Sequence, residues 1–255
     1  MERNKRHISF NPSSGIALSI LSLAHLITYL LVEYPVFLWS LFLGLIMASS
    51  IIVGKKITRW SPTVVGSTVL GCAIALLITS LKQMQGNTSL LFVFISGCIS
   101  ICAMILPGIS GSFILLLLGM YSYVLTSLKS FDFPVIIIFS SGCAVGLLSF
   151  SKLLSYLLAQ YKNTTLGVLL GFMLGSLSKI WPWKVCTSCT AEMSKKLVAI
   201  NQENANPFLY QSVTGKDPYI LYSILLVTFG IVGVLLLESL GKAKPQKDLE
   251  QPVDI

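Results

Sequence analysis

The sequence predicts an all-α protein, a polytopic transmembrane helical bundle with inverted repeats and a re-entrant helical hairpin. Hydrophobic residues make up 54% of the 255 residues and charged residues only 11%. The mean hydropathy is +0.81, far above that of water-soluble domains. The apolar runs are long and lack strand-like alternation, which favours membrane-spanning helices of about 20 residues. One of these runs is interrupted by helix-breaking residues.

The apolar runs predict the spans in chain order. Each run is bounded by polar or helix-breaking residues. The spans are expected at 13–32, 35–54, 62–81, 133–159, 164–181 and 219–240. The interrupted stretch 90–128 is the hairpin, residues 183–217 are one polar loop, and the charged tail 241–255 is expected to be cytoplasmic and disordered.

Two blocks of the chain match without a gap at a constant offset of 127 residues (140 minus 13). The block SSGIALSILSLAHLITYLLVEY begins at Ser13, and the block SSGCAVGLLSFSKLLSYLLAQY begins at Ser140. Matched Ser, Gly and Tyr residues are more informative than matched leucines in apolar sequence. The chain is therefore predicted to contain a first repeat, 1–82, and a second repeat, 83–240. Three spans in each copy would insert the copies with opposite orientation.

The repeat also predicts a partner for the hairpin. The position equivalent to Pro107 is 107 minus 127, or −20, ahead of the first residue. We therefore expect a sister hairpin of about 40 residues to be missing from this chain.

Basic residues between the spans predict the topology. With the N-terminus inside, most lysines and arginines of the ends and short loops, such as Arg59 and Lys162, lie on the cytoplasmic side. Both termini are therefore predicted to be cytoplasmic. The net charge of +8 arises in these connections, so it does not indicate a nucleic-acid partner.

The stretch AMILPGISGSFILLLLGMY, residues 103–121, breaks its own helix in the most apolar part of the chain. Pro107 removes a backbone donor and disfavours helix at Leu106, and Gly108 accepts turn dihedral angles. The first arm is therefore predicted to end near Leu106.

Ser110, Gly111 and Ser112 follow the break and precede an apolar run. This order suits a serine N-cap that opens a second helix. Uncapped amides and two hydroxyls at such a start form an anion site without a charged side chain. The alternative interpretation is a tight turn at the aqueous face, with the serines acting only as caps.

His25 and Lys152 occupy the same position in the two repeats, and each is flanked by a matched serine and tyrosine. The symmetry predicts that both face a shared central cavity. Alternatively, Lys152 extends to the interface and His25 is a packing residue. Lys179 and Arg59 lie near span ends and are interpreted as topology markers.

The remaining polar residues offer little chemistry. Cys186 and Cys189 form one C-x-x-C in a polar loop, where a disulfide, metal or redox chemistry, and no role all remain open. Trp181 to Trp183 reads as an interfacial aromatic belt.

The chain has only two histidines and very few intramembrane carboxylates, so a lipid-phosphate phosphatase lacks acid/base residues. No catalytic or metal site is predicted, and a small-anion channel or exporter remains open.

Four phrases together resemble a family of bacterial membrane proteins associated with undecaprenyl-phosphate translocation. They are ILPGISGSFILLLLGMY, SLFLGLIMASSIIVGKK, GSLSKIWPWK and NPFLYQSVTGKDPY, and the likeness runs from about Pro12 to Leu240. The Trp-Pro-Trp loop is similar to the Gram-negative version and implies a periplasmic loop. Members usually carry a first Pro-Gly-x-Ser-Gly-Gly hairpin ahead of the region that begins here at Asn11, and this chain departs from that pattern.

The resemblance implies a flippase of the cytoplasmic (inner) membrane. It would return undecaprenyl phosphate from the outer to the inner leaflet for cell-wall and surface-polysaccharide synthesis. Its partners would be this anionic lipid and the membrane, with no cofactor, and coupling to a proton or sodium gradient is an open expectation. Together with the residue-level argument, this predicts a phosphate-binding set of Pro107, Gly108, Ser110, Gly111, Ser112, Lys152 and His25.

Overall fold

A computed structural model of the protein describes residues 12–81, 83–84, 86–186 and 202–242. The tail 241–255 was predicted to be disordered, but Gly241 and Lys242 are helical, and the rest of the tail lies outside this part of the chain. Any pairing of Cys186 with Cys189 likewise lies outside the described residues and side chains.

Helices form nearly all of the described chain, which confirms the all-α prediction. The helices are α1 Pro12–Glu33, α2 Pro35–Lys55, α3 Pro62–Ser80, α4 Leu90–Ile105, α5 Gly111–Leu117, α6 Tyr121–Lys129, α7 Phe133–Gln160, α8 Lys162–Ser176, a 3₁₀ helix Leu177–Ile180, α9 Pro207–Thr214 and α10 Ile220–Lys242. Strands β1 Lys184–Cys186 and β2 Gln202–Asn204 pair antiparallel.

Four described helices are long and apolar enough to cross a membrane, namely α2, α3, α7 and α10. The pair α5 and α6 adds a fifth candidate if it is counted as one bent span. A helix lies at each position where the sequence predicted a span. The protein is therefore a multi-pass membrane protein. The predicted span 164–181 is a shorter α-helix, because the chain tightens into the 3₁₀ helix after Ser176.

Helix starts follow local chemistry. Proline occupies the first turn of α2, α3 and α7, where its missing donor costs nothing. At α3 the Ser61 hydroxyl accepts a hydrogen bond from the Val64 amide at 3.4 Å, as an N-cap serine does.

Three helix pairs form the bundle, and glycine permits the close approach in each. A Cβ on Gly44 would overlap the Val227 carbonyl in the α2–α10 pair. A Cβ on Gly171 would overlap the Thr68 carbonyl in the α3–α8 pair, and one on Gly142 would overlap Phe94 in the α4–α7 pair. The contact positions advance together along both members of the α3–α8 and α4–α7 pairs, so these pairs are parallel. The α2–α10 pair is parallel as well, because Phe37 meets Tyr222 and Gly44, further along α2, meets Val227.

Two of these pairs cross between the repeats. The offset of 127 carries α2, 35–55, onto 162–182, which holds α8 and the 3₁₀ helix. The second helix of each repeat therefore packs on the third helix of the other, because α2 meets α10 and α8 meets α3. This exchange is expected of inverted repeats. The repeat boundaries at 1–82 and 83–240 stay a prediction.

The predicted polar loop 183–217 contains folded structure that its composition does not announce. Strands β1 and β2 and helix α9 form a small cap. The Trp181 indole donates to the Ala205 carbonyl at 2.9 Å, and the Trp183 indole donates to the Pro218 carbonyl at 2.8 Å. Trp183 is buried with Tyr210 of α9, so these tryptophans anchor the cap onto the helix ends.

Candidate anion site at the helix break

The break begins where the sequence predicted it. Helix α4 ends at Ile105, and Leu106 turns to extended backbone with φ −73° and ψ 126°. Gly108 follows with φ +95°, a conformation that glycine adopts without the steric cost of a side chain. Pro107 and Gly108 thus stop the helix for the two reasons read from the sequence.

Gly108 also lies against α8. A Cβ at this position would overlap the side chain of Ser176, the last residue of α8. Ser176 is fully buried, and its hydroxyl donates to the Met173 carbonyl at 2.8 Å. The break therefore docks on the point where α8 changes to 3₁₀ geometry.

Gly111 brings α5 against α4. A Cβ on Gly111 would lie 2.7 Å from the Ser100 carbonyl oxygen. Further along, Met120 packs against Val93, nearer the start of α4. The chain therefore reverses direction at the break, as expected of a re-entrant hairpin. The Ser100 hydroxyl is buried and has no hydrogen-bond partner within the described part of the chain.

Ser110 is the N-cap residue of α5, as predicted, with φ −91° and ψ 132°. Its side chain, however, makes no capping bond. Instead, the Ser110 and Ser112 hydroxyl oxygens lie 2.7 Å apart, and both residues are exposed. One hydroxyl proton and the uncapped first amides of α5 are therefore free to meet an external oxygen atom.

Protein packs one side of the break. Ile109 and Ile114 are buried in a cluster with Ala75 of α3 and Phe172 of α8. Non-helical backbone in a membrane protein needs such shelter, or a water-filled cavity. Packed protein shelters the break on the side of Ile109 and Ile114, whereas the two serines on the other side are exposed.

A second break follows, which the sequence interpretation missed. Helix α5 ends at Leu117, Gly119 has φ +68°, and α6 departs at 109°. The Leu117 carbonyl accepts a hydrogen bond from the Met84 amide at 2.7 Å. A glycine just beyond an apolar helix is a common C-terminal signal, so Gly119 in LLLLGMY was a clue to this end.

Lys179 brings a cation to the break. Its Nζ atom lies 4.6 Å from the centroid of the Phe113 ring, and Phe113 is the third residue of α5. The sequence interpretation treated Lys179 as a topology marker. Its position one turn after Ser176, which touches Gly108, places it here, and only the fold reveals that proximity.

His25 and Lys152 lie elsewhere. They belong to α1 and α7, and both are exposed. No contact among the described residues joins either side chain to Gly108, Ser110 or Ser112. The shared cavity predicted for these two residues stays a prediction. Across the described residues, no group of three or more His, Cys, Asp or Glu side chains could hold a metal ion.

Residues 9–198 match the family described as undecaprenyl phosphate translocase-like, which is 190 of the 255 residues (198 − 9 + 1). The chain belongs to this family. A polyprenyl-phosphate transporter of Vibrio cholerae serotype O1 is 44% identical over 224 residues, which are 88% of this chain and 73% of the relative.

A polyprenyl-phosphate transporter of Staphylococcus aureus is 29% identical over 187 residues, 66% of this chain and 66% of that relative. No solved structure matches the chain.

Proposed function

We propose that this protein is a polyprenyl-phosphate transporter, a flippase that returns undecaprenyl phosphate from the outer to the inner leaflet of the bacterial cytoplasmic membrane. The observation that carries the proposal is a sheltered helix break with uncommitted donors in a chain of the undecaprenyl phosphate translocase-like family. The identity of 44% with a named transporter over most of the chain supports it.

The physical task is to carry a phosphate through a region of low dielectric. An unpaired anion in hydrocarbon costs many kcal/mol. The head must therefore meet donors and positive charge while the polyprenyl tail stays in lipid. A transporter of this kind needs no nucleophile or acid/base pair, so we propose that the protein is not an enzyme.

Residues of the break have separate roles in the proposed site. Pro107 and Gly108 keep the backbone non-helical, and Gly111 lets it approach α4 closely. The hydroxyl pair of Ser110 and Ser112 donates its free proton to the phosphate, and the uncapped amides donate as well. Since α5 has only seven residues, its dipole is small, and these direct donors carry the interaction.

We also propose a cavity between the repeats through which the head group passes. In it Lys152 supplies a movable positive charge and His25 assists in neutral or protonated form. Rocking of one repeat against the other would expose the cavity alternately to each leaflet. Both termini would be cytoplasmic, no cofactor would be needed, and a proton or sodium gradient would drive the cycle.

Liposomes that contain the protein and fluorescent undecaprenyl phosphate test the function. We expect transbilayer movement well above the protein-free rate, and a reduction of about tenfold or more in the variant with Ser110→Ala and Ser112→Ala, because the charged head group loses the hydroxyl pair that donates to it. Ser130→Ala is the matched control, since the Ser130 hydroxyl is exposed and bonds within α6. Movement at the protein-free rate would refute the transporter.

A small-anion channel is the second candidate, because the same uncommitted donors could bind chloride or fluoride. Anion flux from the same liposomes, without movement of the labelled lipid, would favour the channel. Release of inorganic phosphate from the lipid would instead indicate an enzyme.

A further inference from the structure

Two lysines meet near the break although they lie on different elements. The Lys184 ammonium, at the start of β1, donates to the carbonyl oxygen of Lys179 in the 3₁₀ helix. Each ammonium also lies over an aromatic ring. The distance is 4.6 Å from Lys179 to the centroid of Phe113 and 4.3 Å from Lys184 to the centroid of Trp39.

This pair lacks a compensating negative charge within the described part of the chain. No described carboxylate contributes to the electrostatics of either lysine. Burial and, to a smaller extent, the charge of Lys179 together lower the pKa of Lys184 to about 8. Glu203 of β2 pairs with Val185, the neighbour of Lys184, so it projects from the opposite face of the two-stranded ribbon. Aromatic rings stabilise the ammonium groups only in part.

A cleft of about 480 Å³ is lined by Ser178, which precedes Lys179 in the chain, and by Asn204, the strand partner of Lys184. Its apolar wall includes Leu43 and Met47, which follow Trp39 by one and two turns of α2. Its polar edge includes Asn204, which lies directly opposite Lys184 in the strand pair. Opposed residues of an antiparallel pair share one face, so Lys184 and the cleft are on the same side of the ribbon.

The combination suits an amphipathic anion. Two ammonium groups without a carboxylate recognise a group of double charge, and a phosphate monoester carries about −1.5 to −2 at neutral pH. A phosphodiester carries a single charge and is the poorer match. The apolar cleft provides a surface for the first isoprene units attached to such a phosphate.

We propose that Lys179 and Lys184 form a receiving station that binds the phosphate monoester of polyprenyl phosphate before the head group reaches the break. The beginning of the lipid chain lies in the adjoining cleft. Phe113 joins the two places, because it contacts Lys179 and belongs to α5, whose N-cap residue is Ser110. This inference rests on the proposed function and assigns its lipid-docking step.

Binding measurements on the full chain in nanodiscs of uncharged lipid test the station. The probes are a short-chain polyprenyl phosphate, the matching polyprenol, inorganic phosphate and phosphatidylglycerol, with tryptophan fluorescence as the signal. We expect tight binding of the polyprenyl phosphate only, and a Kd raised about tenfold in Lys179→Gln and in Lys184→Gln. Lys129→Gln, at the exposed end of α6, should leave the Kd unchanged.

An unchanged Kd in the variant with both Lys179→Gln and Lys184→Gln would overturn the station. Equal binding of inorganic phosphate would overturn the lipid as its ligand, and equal binding of phosphatidylglycerol would overturn the preference for a monoester. Lys179→Arg and Lys184→Arg keep the charge and should retain most of the affinity. Loss of affinity in the arginine variants with intact folding would also contradict the proposal.

Amine labelling at pH 8, read by mass spectrometry, gives an independent measurement. Polyprenyl phosphate should slow the labelling of Lys184 several-fold, whereas the polyprenol should not. Absence of protection would contradict the station. The two proposals fail differently: binding without transbilayer movement refutes the transporter alone, and movement that persists in the double glutamine variant refutes the station alone.

Discussion

The α2–α10 and α3–α8 pairs are built from the same pattern, and within the described residues the broken hairpin docks on the α3–α8 pair. Gly44 in α2 and Gly171 in α8 are repeat equivalents (171 minus 127), and each accepts a backbone from the opposite repeat. Ser49 and Ser176 are equivalents as well, and both hydroxyls donate to a carbonyl one turn earlier. Ser176, however, is buried under Gly108, whereas Ser49 is half-buried.

The difference teaches what the repeat specifies and what the hairpin adds. Local sequence reproduces the glycine contact and the serine bond in both halves. At the α8 end the chain then tightens into 3₁₀ geometry, where the break docks and Lys179 reaches Phe113. In α2 the helix continues to Lys55. The proposed site therefore depends on how α8 ends, which is an asymmetry between α8 and α2.

The largest expected effect concerns the close glycine contact that both helix pairs share. Gly171→Val and Gly44→Val should each lower the free energy of unfolding by about 3 kcal/mol, because the new side chain overlaps a partner backbone that cannot yield. Denaturant unfolding in detergent measures this. Gly233→Val is the control, since nothing lies within 4 Å of a Cβ there. A large effect at only one of the two glycines would break the equivalence of the pairs.

The next effect concerns the docking of the break. Gly108→Ala combines a φ of +95° with overlap of Ser176, so it should cost about 1–3 kcal/mol of stability and slow lipid movement. Adding Ser176→Gly should relieve the overlap but not the backbone strain, and partial recovery is the expected result. Ser49→Gly, its repeat equivalent, should give no recovery. Full stability of Gly108→Ala would show that the break is not held against α8.

A pH titration tests the cationic side of the asymmetry. Lys184 faces Lys179, Trp39 and Asn204, and burial lowers its pKa to about 8. Lys184 is charged below that pH, so affinity for polyprenyl phosphate should fall about tenfold as the pH rises through 8. The unfolded chain holds this proton up to the ordinary lysine pKa of 10.5, so stability should rise between about pH 8 and that value. Lys184→Gln should remove both changes.

The smallest effect concerns the predicted cavity between the repeats. Lys152→Gln should slow lipid movement about threefold, because a mobile charge that contacts the head group only transiently contributes less than a fixed donor. Lys129→Gln is the matched control in the liposome assay. Equal rates in the two variants would remove Lys152, and by symmetry His25, from the proposed pathway.

Most of the secondary structure and the position of the first break followed from the amino-acid sequence. Apolar runs required helices, because a membrane interior offers no other partner for the backbone. Pro107 and Gly108 ended α4 by local sterics, and the matched blocks indicated the duplicated helices. The early end of α5 was missed, although Gly119, two residues after its last residue, is a local sequence signal for a helix end.

Only the tertiary structure decided which polar groups meet. Lys179 and Lys184 are ordinary span-end lysines in the sequence, and they become a pair because the 3₁₀ helix and the strand cap place them together. Trp183 reads as a membrane-belt residue and is buried instead in the cap. Sequence patterns report forces between near neighbours along the chain. Contacts across the bundle depend on how glycine-lined helices close on one another, and no local pattern contains that information.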